Sequence, residues 1–180
     1  MPDKLILSGF RFFSEVPLKT IEAMESACKV LDFPPQTVVY RPGDAADTLY
    51  CLAEGEVELS LEVHDKSLKA DVQHEEAVHR QMVDQVREIV VDTARSRQIF
   101  GWTALVGEGK RALIARCTQP TKVYALPAAE LKGMIAKDHT LGYLLFKRLA
   151  DIMDKRLKIR TDLLLEAWLE AFGASKVTPQ

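Results

Sequence analysis

The residues best suited to chemistry lie together between positions 100 and 112. A β-type run ends at Phe100-Gly101, a short helical turn and a flexible Gly-Glu-Gly follow, and Arg111 opens the next strand. Glycine lets the backbone approach a ligand closely, and the free N–H groups at the start of a helical turn can hold a phosphate. An arginine that faces them can grip the same anion through paired hydrogen bonds. The segment therefore predicts an anion pocket.

Arg111 also has a plainer interpretation, as a structural or surface arginine that forms an ion pair with Glu108. Taken by itself, Arg111 favours this plainer interpretation, and a ligand-facing side chain is favoured only with the surrounding segment taken into account. For Trp102 two interpretations stay open. The indole ring either packs into a core or lid, or it contacts a ligand directly.

Motifs for catalysis and for metal binding are weak, so we expect a protein that is not an enzyme. A zinc-protease helix needs two histidines four residues apart, whereas His74 and His79 are five apart and Val78 holds the required place. With His64 nearby, an accidental metal site is the alternative to a solvated charged helix, which we favour. We find neither a nucleophile elbow nor a Walker-type phosphate loop. We expect no catalytic residue, no metal and no cofactor.

Composition and charge argue against several classes of protein. The 180 residues are 47% hydrophobic and 28% charged with a net charge of −2, which is typical of one globular domain and does not favour a nucleic-acid surface. No apolar run approaches the ~18 residues needed to span a bilayer. The first residues do not resemble a secretory signal, so we expect a cytoplasmic protein without membrane contact. Cys28, Cys51 and Cys117 are expected to be buried free thiols.

Hydrophobic spacing predicts an N-terminal helix followed by short strands. Apolar residues recur at helical spacing over 17–31, and the pattern becomes β-type from residue 37, most clearly over 57–63, where apolar and polar residues alternate. For 64–87 we favour a helical insertion over a long hairpin, because apolar residues lie four apart in a charged background. Those residues are Val78, Met82, Val86 and Val90.

The last part of the chain is predicted to be helical. One short helix covers 127–137, and a longer apolar stripe over 139–171 is interrupted at 154–156, which predicts two helices or one bent helix. The order of elements predicts an α+β protein with a β-barrel or sandwich core. We treat 1–180 as a single domain with five parts: an N-terminal helical part (1–36), a barrel (37–127), its insertion at about 64–87, C-terminal helices (128–173) and a tail (174–180).

The segment 100–112 closely resembles the phosphate-binding cassette of cyclic-nucleotide-binding domains, whose pattern is roughly Phe-Gly-Glu-x-Ala-Leu, a short loop and Arg-Ala-Ala. Upstream motifs match the same family in order, at Pro42-Gly43-Asp44, Leu49-Tyr50 and Gly55-Glu56-Val57. The resemblance, to catabolite activators and to regulatory subunits of protein kinase A, covers about residues 10–160. It implies a double-stranded β-helix, or jelly-roll, barrel with an N-terminal helix and C-terminal helices, and a regulatory function.

The resemblance also implies roles for single residues. Gly101, Ala104 and Leu105 would line the sugar-phosphate of a cyclic nucleotide, and Arg111 would pair with its cyclic phosphate. Ala112 stands where members of the family carry either a hydroxyl residue or alanine, and alanine favours cyclic AMP over cyclic GMP. Cyclic AMP is therefore the ligand that the resemblance suggests.

Trp102 is the main departure from the family pattern, because the cassette glutamate that accepts a hydrogen bond from the ribose 2′-hydroxyl is missing. An indole N–H can only donate. A hydrogen bond to a charged group is worth ~1.5–3 kcal/mol, so its loss would weaken binding roughly ten- to a hundredfold. Smaller departures occur at Leu113, at Lys110 and at Ser96-Arg97-Gln98.

Two functions stay open at this point. In the first, a cyclic nucleotide shifts the C-terminal helices and so changes contact with an unidentified protein partner. In the second, the chain is an interaction or scaffold module that has kept the fold and lost the ligand. The C-terminal stripe around Leu164 and Trp168 is either a lid on the barrel or a contact with a second copy, and we favour a homodimer. Few residues follow Phe172, so we expect no helix-turn-helix and no DNA binding by this chain itself.

Overall fold

The computed structural model describes residues 6–71, 79–106 and 109–173. Short 3-10 helices occupy Leu7–Gly9, Arg11–Phe13 and Trp102–Ala104. The α-helices are α1 (Leu18–Ala27), α2 (Ala128–Lys137) and α3 (His139–Phe172). The strands are β1 (Lys29–Phe33), β2 (Val38–Tyr40), β3 (Thr48–Glu54), β4 (Glu56–Asp71), β5 (His79–Arg95), β6 (Ile99–Phe100), β7 (Ile114–Cys117) and β8 (Thr121–Pro127).

The eight strands form two four-stranded antiparallel sheets. One sheet has the order β1-β8-β3-β6 and the other the order β2-β7-β4-β5. Strands β3 and β8 place buried side chains on both of their faces, with Leu49 and Leu126 on one face and Leu52 and Val123 on the other. This arrangement, with a helix before the strands and helices after them, confirms the predicted α+β class and the jelly-roll barrel.

Two hydrophobic cores hold the elements together. The first lies between the β1-β8-β3-β6 sheet and the helices, and it includes Phe13, Met24 and Leu145. The second lies between the two sheets, and it includes Leu52 and Phe100. Neighbouring residues Ile99 and Phe100 belong to different cores because successive strand residues point to opposite faces. Strand β6 therefore connects the helical side of the molecule with the barrel interior.

The predicted helical insertion at 64–87 is wrong in the part that the structure describes. Strands β4 and β5 form one long antiparallel ladder, which runs from the pair Glu56–Arg95 to the pair Asp71–His79. A spacing of four residues is also a multiple of two, so the apolar residues on which the prediction rested fit one face of a strand as well as a helix. His74 and Val78, which entered the metal-site alternative, lie outside the described residues.

The helical predictions at the two ends need smaller corrections. The first helix ends at Ala27 rather than at Leu31, because Lys29–Phe33 pairs with β8 as an edge strand of the sheet. Helix α2 covers Ala128–Lys137, one residue shorter than the predicted 127–137. Helix α3 is one uninterrupted helix of 34 residues, so the alternative of two helices is not observed. Cys28, Cys51 and Cys117 are free thiols, the last two fully buried. Among the described helices, none is long and apolar enough to cross a membrane.

Candidate ligand-binding site around Arg111

The backbone of the predicted cassette is built as a strand, a left-handed glycine and a 3-10 turn. Strand β6 ends at Phe100, Gly101 has φ +71°, and the 3-10 helix Trp102–Ala104 follows. Arg111 is anchored to the turn between β2 and β3, since its N–H donates to the Asp44 carbonyl oxygen at 2.8 Å and its carbonyl oxygen accepts from Gly43 N–H at 2.9 Å. These bonds bring Arg111 back beside Gly101.

The Arg111 side chain is almost fully buried, with 4% of its surface exposed. Its Nη1 donates to the Gly101 carbonyl oxygen at 2.7 Å and lies 3.3 Å from Thr103 Oγ1. Its Nη2 donates to the Thr48 carbonyl oxygen at 2.6 Å. Among the residues that the structure describes, the Nε–H finds no hydrogen-bond acceptor. The guanidinium group is therefore fixed at both terminal nitrogens and keeps one unsatisfied donor.

Aromatic rings complete the surroundings of this cation. The guanidinium carbon lies 4.5 Å from the centre of the Tyr40 ring and 5.7 Å from that of Tyr50. Tyr50 in turn stacks on Phe100, with ring centres 4.9 Å apart. Burial raises the pKa of Tyr40 to about 12, although the nearby Arg111 charge acts in the opposite direction. The faces of the two tyrosine rings pack against the guanidinium and attract its positive charge, and both interactions favour a charged arginine here.

The close contact with Arg111 explains why residue 101 is glycine. A Cβ atom on Gly101 would lie 2.8 Å from Arg111 Nη1, 3.1 Å from Tyr50 Cδ2 and 3.3 Å from the Thr48 carbonyl oxygen. The positive φ adds a second reason, since residues with a side chain rarely adopt it. Gly101 and Arg111 are thus in direct contact, whereas each of them was expected from the sequence to contact a ligand.

The other predicted site residues lie at different depths. Ala104 and Leu105 are buried in the core between sheet and helices, and Trp102 is partly buried and packs against that same core. Ala112 is exposed. The ion pair with Glu108 that we weighed for Arg111 falls outside the described residues. The structure therefore brings Gly101 and Arg111 together and gives Trp102 the packing that one of its two interpretations expected.

Several groups around Arg111 were not predicted. Thr48 contributes only its backbone carbonyl oxygen, which every residue has, so the residue type does not indicate this contact. Thr103 contributes a hydroxyl oxygen from the 3-10 turn. Tyr40 is the last residue of β2, and Tyr50 lies in β3. A tyrosine in each of two successive strands was the feature of the sequence that could have indicated aromatic faces beside a buried arginine.

A jelly-roll barrel that carries a bare glycine, a 3-10 turn and a buried arginine at one site defines a regulatory ligand-binding module. The model of the cyclic nucleotide-binding domain matches residues 30–138, which is more than half of the chain. The chain belongs to the cyclic nucleotide-binding domain family. No curated protein matches the chain significantly.

Solved structures of this fold come from several bacteria. A cyclic nucleotide-binding protein of Geobacter metallireducens is 24% identical at a TM-score of 0.65, with 87% of this chain and 99% of that chain covered. A cyclic nucleotide-binding domain of Methylobacillus flagellatus is 17% identical at a TM-score of 0.66, with 90% of this chain and 80% of that chain covered. The c-di-GMP-responsive global regulator CLP of Xanthomonas campestris is 23% identical at 0.64, with 87% and 65% covered. These similarities support the fold.

Proposed function

We propose that this protein is a non-enzymatic cytoplasmic sensor that binds a cyclic nucleotide, with cyclic AMP as the leading candidate, beside Arg111. The observation that carries the proposal is a buried arginine, in a chain of this family, whose Nε–H finds no acceptor in the described part of the chain. A buried donor without an acceptor costs free energy, and an anionic oxygen is the strongest acceptor that it can receive.

The remaining donors of Arg111 support this role by fixing the guanidinium plane. Carbonyl oxygens of Gly101 and Thr48, which belong to two different elements, hold Nη1 and Nη2. A guanidinium that is already oriented loses little side-chain entropy when a phosphate oxygen binds to it. The bare Cα of Gly101 lets the guanidinium lie directly against the backbone of the turn, so a phosphate oxygen bound to Arg111 would lie beside that turn.

Binding requires movement, because Arg111 Nε is buried in the conformation described here. Helix α3 is the element we propose to move. Its Arg156 lies 2.9 Å from Asp92 on β5 and 3.4 Å from the carbonyl oxygen of Ile99, two residues before Gly101. A ligand that displaces β6 and its turn would therefore alter the contacts that hold α3 against the barrel. Only a difference in affinity between the two arrangements can drive such a change.

Ligand preference follows from Trp102 and Ala112. The indole cannot accept a hydrogen bond from a ribose 2′-hydroxyl, so we propose that binding depends little on that hydroxyl. Ala112 is exposed and its methyl group offers no hydrogen bond to a base. In the family pattern, alanine at this place favours cyclic AMP over cyclic GMP. The packing of Trp102 against the helical core would make the turn sensitive to the position of the helices.

A second candidate function is an interaction module without a nucleotide, and the exposed end of α3 favours it. Leu164 is 72% exposed and Trp168 is 52% exposed. The described part of the chain offers them no cover beyond the contact of Trp168 with Phe172. We propose that a second copy of this chain, or a protein partner, covers this end of the helix.

A thermal-shift titration of the purified chain separates the two functions. Cyclic AMP, cyclic GMP and cyclic di-GMP are added singly, up to millimolar concentration. A ligand that binds only the folded state adds about 2.7 kcal/mol of stability at a hundred times its Kd, which is a clear rise in Tm. A rise with cyclic AMP supports the sensor. An unchanged Tm with all three nucleotides rejects the sensor and leaves the interaction module.

A further inference from the structure

A groove of about 570 Å³ lies between α3, strands β5 and β6, and the 3-10 helix Arg11–Phe13. Its volume is in the range of small-molecule sites, ~300–1,000 Å³. It shares no lining residue with the cassette, since Gly101, the Trp102–Ala104 turn and Arg111 are not part of its wall. Whatever it binds would therefore contact a different surface from a ligand at Arg111.

The wall of the groove is rich in cations. The basic residues that line it are Arg11, Arg95, Arg97, Arg148, Lys155 and Arg156. The acidic residues that line it are Asp92 and Asp151. In a chain whose net charge is −2, this is a strong local excess of positive charge. Concave basic surfaces concentrate anions, because the low-dielectric walls focus the field into the space between them.

Three of these six basic residues form ion pairs within the protein. Each pair joins an arginine to a carboxylate: Arg148 with Glu15 at 2.6 Å, Arg156 with Asp92 at 2.9 Å and Arg95 with Glu56 at 3.3 Å. Asp151 lies 3.8 Å from Arg148, which already has Glu15. The first two pairs connect α3 to the N-terminal segment and to β5, and the third joins β5 to β4 within the hairpin. In each pair a carboxylate offsets the charge of the arginine.

The other three cations, Arg11, Arg97 and Lys155, have no carboxylate partner among residues 6–71, 79–106 and 109–173. All three are exposed. Arg97 adopts a φ of +67°, which is rare for a residue with a side chain, and its guanidinium reaches the Gly9 carbonyl oxygen at 3.5 Å. The three come from a 3-10 helix, a turn before β6 and α3, so they surround the groove from three sides.

Apolar side chains form the rest of the wall. Phe12 and Ile99 are buried at its base. Val90, Ile159 and Leu163 are about half exposed along it, at 48%, 59% and 55%. An apolar base with free cations around it matches a molecule that has both a flat or apolar body and an anionic group.

We propose that this groove is a second ligand site, for a small molecule that joins phosphate groups to an aromatic or apolar body. The three free cations bind the phosphates, and the apolar wall between β5 and α3 covers the body. The proposal stands independently of the cassette, because the two sites share no residue. Occupation of the groove would press on α3 and β6 together, which Arg156 connects through the Ile99 carbonyl oxygen two residues before Gly101.

ATP is a suitable probe, since it combines a purine with three phosphates, and adenosine and pyrophosphate each supply one half of it. Amide chemical shifts of the ¹⁵N-labelled chain are followed during titration with each probe. The expected result is that ATP shifts amides of the groove, such as Arg97, Ile99 and Ile152. Adenosine and pyrophosphate should bind at least about tenfold more weakly than ATP, and added salt should weaken ATP binding.

Charge reversal tests the assignment with a matched control. The variant Arg11→Glu with Lys155→Glu changes two exposed groove cations, whereas Lys19→Glu with Lys132→Glu makes the same change of net charge on exposed residues outside the groove. We expect about tenfold or greater loss of ATP affinity in the first variant and little loss in the second. Equal ATP affinity in the two variants, or no binding of ATP to the wild type at millimolar concentration, overturns the proposal.

The shift pattern also separates this proposal from the proposed function. If ATP moves only cassette amides such as Gly101 and Ala112, the groove site is wrong and the cassette site stands. If cyclic AMP leaves the cassette unmoved while ATP moves the groove, the proposed function fails and the groove site stands. Shifts at the groove that follow protein concentration instead of ATP would assign it to a second copy of the chain and overturn the ligand site.

Discussion

Arg111 and Arg156 are both largely buried cations, but among the described residues only Arg156 has a carboxylate beside it. Asp92 Oδ2 lies 2.9 Å from Arg156 Nε, and the two side chains are 18% and 14% exposed. The pair is a Coulombic contact more than an aligned hydrogen bond, since that oxygen accepts no well-directed N–H. Arg111 has instead two carbonyl oxygens and two tyrosine rings.

This difference is the reason why we propose Arg111, and not Arg156, as the arginine that receives a ligand. A buried charge is costly unless it is paired and hydrogen-bonded, and Asp92 supplies a full counter-charge for Arg156. Carbonyl dipoles and ring faces supply only partial compensation for Arg111, whose Nε–H stays unsatisfied. A diffusible anion would complete the surroundings of Arg111, whereas it would have to compete with Asp92 for Arg156.

Arg111→Ala should have the largest effect, because it removes the anion contact and three contacts to the protein at once. We expect the free energy of unfolding to fall by about 2–4 kcal/mol, since carbonyl oxygens of Gly101 and Thr48 lose a charged donor. The Tm increase with cyclic AMP should disappear. Differential scanning fluorimetry with and without cyclic AMP measures both effects.

Arg116→Ala is the matched control, because Arg116 is an arginine on the neighbouring strand β7 whose ion pair with Glu88 is partly exposed. That variant should lose about 1 kcal/mol or less and keep its response to cyclic AMP. An Arg111→Ala protein that cyclic AMP stabilises as much as it stabilises the wild type would show that Arg111 is structural, like Arg156.

Trp102→Glu should have the next largest effect, and in the direction of tighter binding. A carboxylate at this place restores an acceptor for the ribose 2′-hydroxyl, which predicts a ten- to hundredfold gain in cyclic AMP affinity, equivalent to about 1.4–2.8 kcal/mol. Isothermal titration calorimetry with cyclic AMP and its 2′-deoxy analogue measures the gain. The 2′-deoxy analogue should gain nothing, and an equal gain for both ligands would mean that the indole had merely blocked the pocket.

A double-mutant cycle on Asp92 and Arg156 tests the other side of the comparison. Asp92→Asn alone leaves the cation without its counter-charge, and we expect a loss of about 1–3 kcal/mol in the free energy of unfolding. The cycle with Arg156→Met should give a coupling of about 1–2 kcal/mol. Urea denaturation of the four proteins supplies the numbers. A coupling near zero would remove the electrostatic connection that we infer between α3 and β5.

The sequence carries most of the fold because its signals are local. Three elements can each be predicted from a few neighbouring residues: the strand over 57–63 from its alternation, the cassette turn from its glycine, and the short helix from Pro127 before it. The long hairpin was missed for a physical reason. A four-residue spacing fits both helix and strand, and the pairing of β4 with β5 joins residues up to 39 positions apart, which no local window contains.

The candidate site also has a part that the sequence predicts and a part that only the fold creates. Gly101 and Arg111 were predicted, because their residue types carry the chemistry. The contribution of Thr48 could not be predicted, because a carbonyl oxygen is common to every residue and only the fold brings this one to Arg111. The groove of Arg11, Arg97 and Lys155 was missed because three distant segments supply one cation each.

The smallest effect on the chain's own stability is expected at the end of α3. At 1.5 Å per residue, the 34-residue helix is about 51 Å long, and its last turns extend past the barrel with Leu164 and Trp168 exposed. Leu164→Glu with Trp168→Glu should therefore change the free energy of unfolding of a monomer by about 0.5 kcal/mol or less, since neither side chain is buried in the described chain.

The same variant should nevertheless change the assembly. If a second copy covers the helix, light scattering after size exclusion should show a dimer for the wild type and a monomer for the variant, with Glu166→Gln on the same helix remaining dimeric. If the stripe is a lid, both proteins are monomers, and the variant should lose stability only when cyclic AMP is bound. A variant that stays dimeric would place the contact elsewhere on the chain, because two carboxylates cannot be buried in an apolar helix contact without a large cost.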